Sequence, residues 1–156
     1  MSLKEEVFFY GVLFIVLAVS FKMFLDSDAY NLTCVVSTVD GEKYCVREKE
    51  HLDKSADLLA TVSGKCKSLV VFMKKKYPDR EEVNRLHDGF SSTKITETLP
   101  TSTLTAYSEN KGQKIAFCLN KKKNGTELID MNTLTFVAIH ELAHIMTLSV
   151  GHKQEF

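Results

Sequence analysis

Residues 133–149 read TLTFVAIHELAHIMTLS, and their pattern decides what kind of domain surrounds them. Leu134, Phe136, Val137, Ile139, Leu142 and Ile145 are apolar, which predicts a buried helix over 133–149, capped at its start by Asp130 or Asn132. Set into that helix are His140, Glu141 and His144, the H-E-x-x-H pattern. Residues four apart share a helix face, so both imidazoles can reach one metal ion. The glutamate, next in sequence to the first ligand, sits beside the open coordination position. There it can take a proton from water and pass it to a leaving amine. Zinc suits nitrogen ligands, and a catalytic zinc takes three protein ligands plus water. A chain of this length and composition carries the pattern by accident only about once in a hundred.

A third ligand has to come from beyond the helix. His152 follows His144 by eight residues and stands directly after Gly151. A glycine there can stop the helix and swing the next residue back toward the metal. Glu155 is the alternative, since a carboxylate would serve chemically. His51 and His87 lie in solvated helical stretches and read as surface residues.

Upstream of the metal helix, Ile115, Phe117 and Leu119 alternate with Ala116, Cys118 and Asn120, predicting a half-buried strand over 114–120. A partner strand is expected over 103–108, around a turn at Glu109-Asn110-Lys111-Gly112. Residues 91–102, rich in Ser and Thr with Pro100, read as an irregular connection. A short helix over 80–90 carries Val83, Leu86 and Phe90 inward. Before it, Leu52, Ala56, Leu59, Val62, Cys66, Leu69 and Met73 form one apolar stripe on a long helix over 48–76, ended by Tyr77-Pro78. Residues 31–46 read as a hairpin turning at Thr38-Val39-Asp40-Gly41, which sets Cys34 opposite Cys45. That placement permits a cross-strand disulfide or two half-buried thiols. No Cys-x-x-Cys pair is present, so neither a zinc knuckle nor a thioredoxin-like motif is encoded.

At the other end, residues 7–25 read VFFYGVLFIVLAVSFKMFL. Nineteen residues at roughly 1.5 Å each reach roughly 28 Å, the hydrocarbon thickness of a bilayer. Lys22, the single charge, lies where its stem can snorkel to the headgroups. Lys4-Glu5-Glu6 and Asp26-Ser27-Asp28 bound the segment. Ala18-Val19-Ser20 resembles a cleavage site, so a signal peptide is the rival reading. The apolar run continues past it to Leu25, and the leading segment holds one lysine beside two glutamates, which favours a retained anchor. Residues 1–25 are therefore the anchor segment and 26–156 a single domain. The sequons at Asn31 and Asn124 matter only if that domain faces a lumen or the exterior.

The chain has 156 residues, with 20 basic and 20 acidic side chains. That balance offers no general attraction for nucleic acid, and no nucleic-acid partner is expected. The lysine runs at 74–76 and 121–123 read as solvated ends.

The stretch HELAHIMTLSVGHKQEF resembles the active-site segment of short zincin peptidases of the WLM and SprT-like type, which pair H-E-x-x-H with a later histidine followed by x-x-x-Phe. The preceding KIAFCLNKKKNGTELIDMNTLTFVAIHELAH resembles the strand and loop that enter such a domain's metal helix. From Tyr30 to Phe156 the chain is similar to membrane-anchored WLM-like proteins of large DNA viruses of algae and protists. The resemblance implies His140, His144 and His152 as zinc ligands and Glu141 as general base. It also implies that strand 114–120 is the sheet edge along which an extended substrate pairs. The gap from His144 to His152 is two residues longer than the usual WLM spacing. The family continues past the equivalent of Phe156 into another helix, which implies a truncated domain. Some relatives act on protein crosslinked to DNA; the anchor and the neutral charge argue against that role here. The expected architecture is α+β: a transmembrane helix, then a minimal zincin-like domain with a small, mostly antiparallel sheet packed on helices. The expected function is zinc-dependent hydrolysis of a protein or peptide substrate at a membrane, and Tyr107 or Tyr77 is a candidate for stabilising the oxyanion. The rival is a membrane-anchored structural protein whose zinc only holds the last helix in place.

Overall fold

A computed structural model describes residues 3–25, 32–122, 125–154 and 156, which fall into two units divided after Asn31. The first unit is helix α1 (Leu3–Leu25). Its apolar side chains from Val7 to Phe24 are exposed, and Glu6–Phe24 is long and apolar enough to cross a membrane. The expected span at 7–25 agrees within a residue. The acidic flank 26–28 and the sequon residues Asn31 and Asn124 lie outside the described residues.

The second unit runs β1 (Leu32–Val36), β2 (Lys43–Arg47), α2 (Leu52–Lys76), α3 (Glu81–Phe90), β3 (Lys94–Glu97), β4 (Ala106–Glu109), β5 (Lys114–Phe117) and α4 (Met131–Met146). The strands form one sheet in the order β1-β2-β3-β5-β4. The fold is α+β as expected, but the sheet is mixed and not mostly antiparallel. β1 with β2 and β4 with β5 are antiparallel, whereas β3 runs parallel to both β2 and β5. The reason is connectivity. Two hairpins supply the antiparallel pairs, while β2 reaches β3 only through the long crossover of α2 and α3, which returns the chain in the same direction.

β3 lies inside the stretch that reads as an irregular connection. Its sequence, KITE, looks polar, yet Ile95, Thr96, Glu97 and the following Thr98 are all buried. The compensation comes from Arg47 at the end of β2. The Arg47 backbone N–H donates to Glu97 Oε2 at 2.8 Å, and its guanidinium donates to Thr98 O, Thr98 Oγ1 and Leu99 O at 2.6–2.9 Å. Burial raises the Glu97 carboxyl, and the Arg47 amide and charge pull it back. Buried polar groups are tolerable when matched in this way.

The expected hairpin is present, and Cys34 and Cys45, paired in register, are joined by a disulfide. Its turn is pinned to α2 by Asp57, which accepts from Ser37 Oγ at 2.6 Å, Thr38 N at 2.8 Å and Thr38 Oγ1 at 2.9 Å. α2 buries Ala56, Leu59, Val62 and Cys66 of its predicted stripe, but begins at Leu52 because β2 runs to Arg47 and the chain must then turn. Burial pushes the Cys66 thiol up to about 11, so it stays protonated and inert. Residues 115–117 do not alternate between buried and exposed. β5 is an interior strand, and Ile115, Ala116 and Phe117 are all sealed.

α4 begins at Met131 under an Asp130 cap, whose carboxylate accepts from Thr133 N at 3.0 Å and Thr133 Oγ1 at 2.7 Å. It ends at Met146 and not at Ser149, because Thr147 is extended. Leu134, Leu142 and Ile145 are buried as expected, but Phe136 and Ile139 are 73% and 50% exposed, so the helix has an open apolar side. α4 packs on α2, α3 and β4. Its last turn meets a tight joint between α3 and the β4–β5 turn. A Cβ on Gly112 (φ 105°) would lie 2.7 Å from Gly89 O, and one on Gly89 would lie 2.8 Å from Lys111 O. Both would also press on Ile145.

Gly112→Ala is expected to destabilise the full chain in detergent by at least about 2 kcal/mol, from left-handed strain plus overlap, read by denaturant unfolding. The hydrogen bonds from Ser37 and Thr38 hold the Asp57 carboxyl below its usual range. A depressed folded-state value means stability that is present above the unfolded value and lost as pH falls through the folded one. Melting temperature should therefore fall more steeply below about pH 4 in the wild type than in Asp57→Asn.

Candidate metal centre

The helical period places His140 and His144 one turn apart on α4, with ring centroids 5.0 Å apart. After Thr147 the chain leaves the helix axis, and Gly151 takes φ 80°, a left-handed conformation that a side chain would strain. The turn brings His152 back, so that its ring centroid lies 4.9 Å from each of the other two. The ligating atoms of His140, His144 and His152 all lie within 4.8 Å of one another. The expected trio is thus assembled. The alternative ligand Glu155 lies outside the described residues.

The donor set fits a metal ion. His140 Nε2 and His152 Nε2 face each other at 2.9 Å. Two imidazole lone pairs cannot point at one another so closely unless a proton or a cation lies between them. Three imidazoles beside an open cleft are a donor set that zinc accepts. Glu141 is not among the converging ligands; it is buried beside them. Burial raises its carboxyl above the ordinary range, and His152 opposes that shift. Burial lowers His144, helped by the nearby charges of His140, His152 and Lys111, so its imidazole is held neutral and free to ligate.

A cleft of about 450 Å³ opens on this group. One wall is Ala106, Tyr107, Ser108, Asn110 and Lys111; the other is His140, Glu141, His144 and residues 149–152. The wall is β4, at the edge of the sheet, and not β5, which sits between β3 and β4. The expected edge strand is therefore displaced by one position. A two-residue hairpin repeat cannot tell which of its strands is outermost, because that depends on where β3 docks. Of the two tyrosines, Tyr107 lines the cleft and Tyr77 does not. Strand alternation puts Tyr107 on the face opposite to core-packed Ala106, with its ring 5.8 Å from Lys114 Nζ, and Tyr77 lines a separate hollow beside Met73 and Met146. His51 is exposed and His87 binds its neighbour Asp88, both away from the cleft.

Two further neighbours border the site: Phe156, the phenylalanine of the x-x-x-Phe element after His152, and Lys111, which carried no signal in the sequence. The Phe156 ring lies 4.9, 4.5 and 4.8 Å from the rings of His140, His144 and His152. Lys111 reaches the end of α4 from the β4–β5 turn. Both contacts depend on tertiary placement.

No family model matches the chain, and no solved structure does. Among curated proteins, it is similar to an uncharacterised protein of Acanthamoeba polyphaga mimivirus, at 23% identity over 126 residues that make up 78% of this chain. It is also similar to an uncharacterised protein of Invertebrate iridescent virus 6, at 40% identity over 52 residues, 33% of this chain. The matched stretches span 64% and 29% of those proteins, so the chain covers less than two thirds of either.

Elemental analysis of the purified full chain is expected to find about one divalent metal ion per molecule, and none in the double variant His140→Ala/His144→Ala.

Proposed function

We propose that the chain is a zinc-dependent peptidase of the WLM and SprT-like kind, held at a membrane by α1. The observation that carries this reading is the convergence of three imidazoles beside a buried carboxylate that does not converge with them, in a cleft bordered by an unpaired strand edge. A purely structural site has no use for that carboxylate or for that edge.

When bound, zinc supplies Lewis acidity, polarising a carbonyl and making water a competent nucleophile near neutral pH. The chain's own residues do the rest. The outer edge of β4 presents backbone donors and acceptors on which an extended peptide can pair as an added strand. Glu141 takes the proton from the attacking water as the oxygen adds to the scissile carbonyl. It then delivers that proton to the amide nitrogen as the C–N bond breaks, so the products are a carboxylic acid and an amine. Its burial favours this role, because a carboxyl raised toward neutrality both accepts and returns a proton readily. The N-terminal helix keeps the catalytic domain close to bilayer-associated substrates. Cleavage at Ala18-Val19-Ser20 would instead release it, and N-terminal sequencing of the mature chain distinguishes the two.

One observation favours the rival reading, a zinc that only staples the C-terminal segment to α4. Phe156 packs against all three imidazoles, as a ring closing a structural site would. The two readings part on Glu141. Glu141→Gln should keep its metal and lose about 10²–10⁴-fold in the cleavage of an unfolded protein substrate. A metal-loaded wild type with no cleavage above that variant would establish the structural role.

A further inference from the structure

We propose that Lys111 is the positioning residue for the third metal ligand, tying the loop that carries His152 to the edge-strand turn. The inference rests on reading the three histidines as a metal site. A helix end leaves carbonyls without intrahelical partners, and a cation is the group that satisfies them best. Here α4 stops abruptly at Met146, with Thr147 extended and its N–H returning to Ala143 O at 3.2 Å. Lys111 Nζ then donates to His144 O at 3.1 Å, Thr147 O at 2.7 Å and Ser149 O at 2.7 Å. An ammonium has three protons, and each has a carbonyl. Those carbonyls belong to the second ligand itself and to the segment that leads from it to the third. Thr147 Oγ1 adds weaker bonds to His144 O at 3.3 Å and Ser149 O at 3.5 Å, within the same loop.

The anchor of this clamp is itself constrained. Asn110, Lys111 and Gly112 are successive left-handed residues, with φ of 47°, 55° and 105°, and Gly112 is wedged on Gly89. The ammonium is therefore delivered from a turn that has little freedom to shift. That turn is the continuation of β4, so one side chain fixes the cleft's two walls to each other. With its protons engaged by the protein, Lys111 is not a substrate contact. Its effect passes through His152.

The test is metal affinity, measured on the full chain in detergent by competition with a chelator, with the visible spectrum of the Co²⁺ form read in parallel. Lys111→Met keeps the stem and removes the charge. Because Lys111 is solvent-exposed, this variant should melt close to the wild type. It is expected to bind Zn²⁺ at least about tenfold more weakly and to alter the Co²⁺ ligand-field bands, and Lys111→Arg should recover most of the loss. In a His152→Ala background, Lys111→Met should weaken binding little further, since both changes remove the same ligand. Unchanged affinity in a folded Lys111→Met, a full additional loss in the His152→Ala background, or failure of Lys111→Met to fold would each overturn the proposal. A wild type that binds no metal would instead sink the reading of the site beneath it.

Discussion

The ring of His152 has to be returned to the rings of His140 and His144, and the C-terminal end of the domain is built around that return. Two of the three imidazoles are a gift of helical geometry, since any helix sets residues four apart on one face. The third is not local in this sense. Its chain must break the helix, reverse and come back, with Gly151 in a conformation that only glycine adopts without strain. Loose loops do not hold a ligand to within a fraction of an ångström. Fixing this one takes bonds from outside it, and they come from Lys111, whose own turn is wedged against α3 through Gly89.

The sheet serves the same end at longer range. β4 can border the cleft only because β5 lies beneath it and β3 beneath β5, and β3 is a polar sequence that has no business in a core unless its groups are matched. Arg47 matches the Glu97 carboxylate at its end and the Thr98 and Leu99 carbonyls that follow, some fifty residues along the chain, while Thr96 Oγ1 stays without a hydrogen-bond partner among the described residues. The buried pair is better seen as a registration device than as a source of stability, because desolvation offsets much of the attraction between such charges. It specifies which strand follows β2, and so which strand is left at the edge.

What was legible in the sequence is what local periodicity encodes. The apolar stripe of α2, a cap at Asp130 or Asn132, the H-E-x-x-H face and the glycine before His152 need only neighbours a few residues away, and the structure has them, with Asp130 as the cap. β3 was illegible because its burial depends on an arginine in another element. The exposure of Phe136 and Ile139 was illegible too, since an apolar residue announces a preference for burial but not whether anything arrives to cover it. The place of β5 in the interior follows from strand order, and strand order is set by the crossover through α2 and α3, not by any residue of β5.

The contact between Gly89 and Gly112 has a consequence for how such a chain can diverge. Two backbones that touch with no side chain between them share a single tolerance: neither position can drift alone, because any added carbon on one presses on the main chain of the other. Most of a protein surface wanders freely over generations, and even a core position can trade volume with its neighbours. This joint has nothing to trade. A lineage that gave it up would have to redraw the turn between β4 and β5, and the histidine that the turn steadies would go with it. The two glycines thus bind the history of the α3 end to the history of the three-histidine cluster, although neither is part of it.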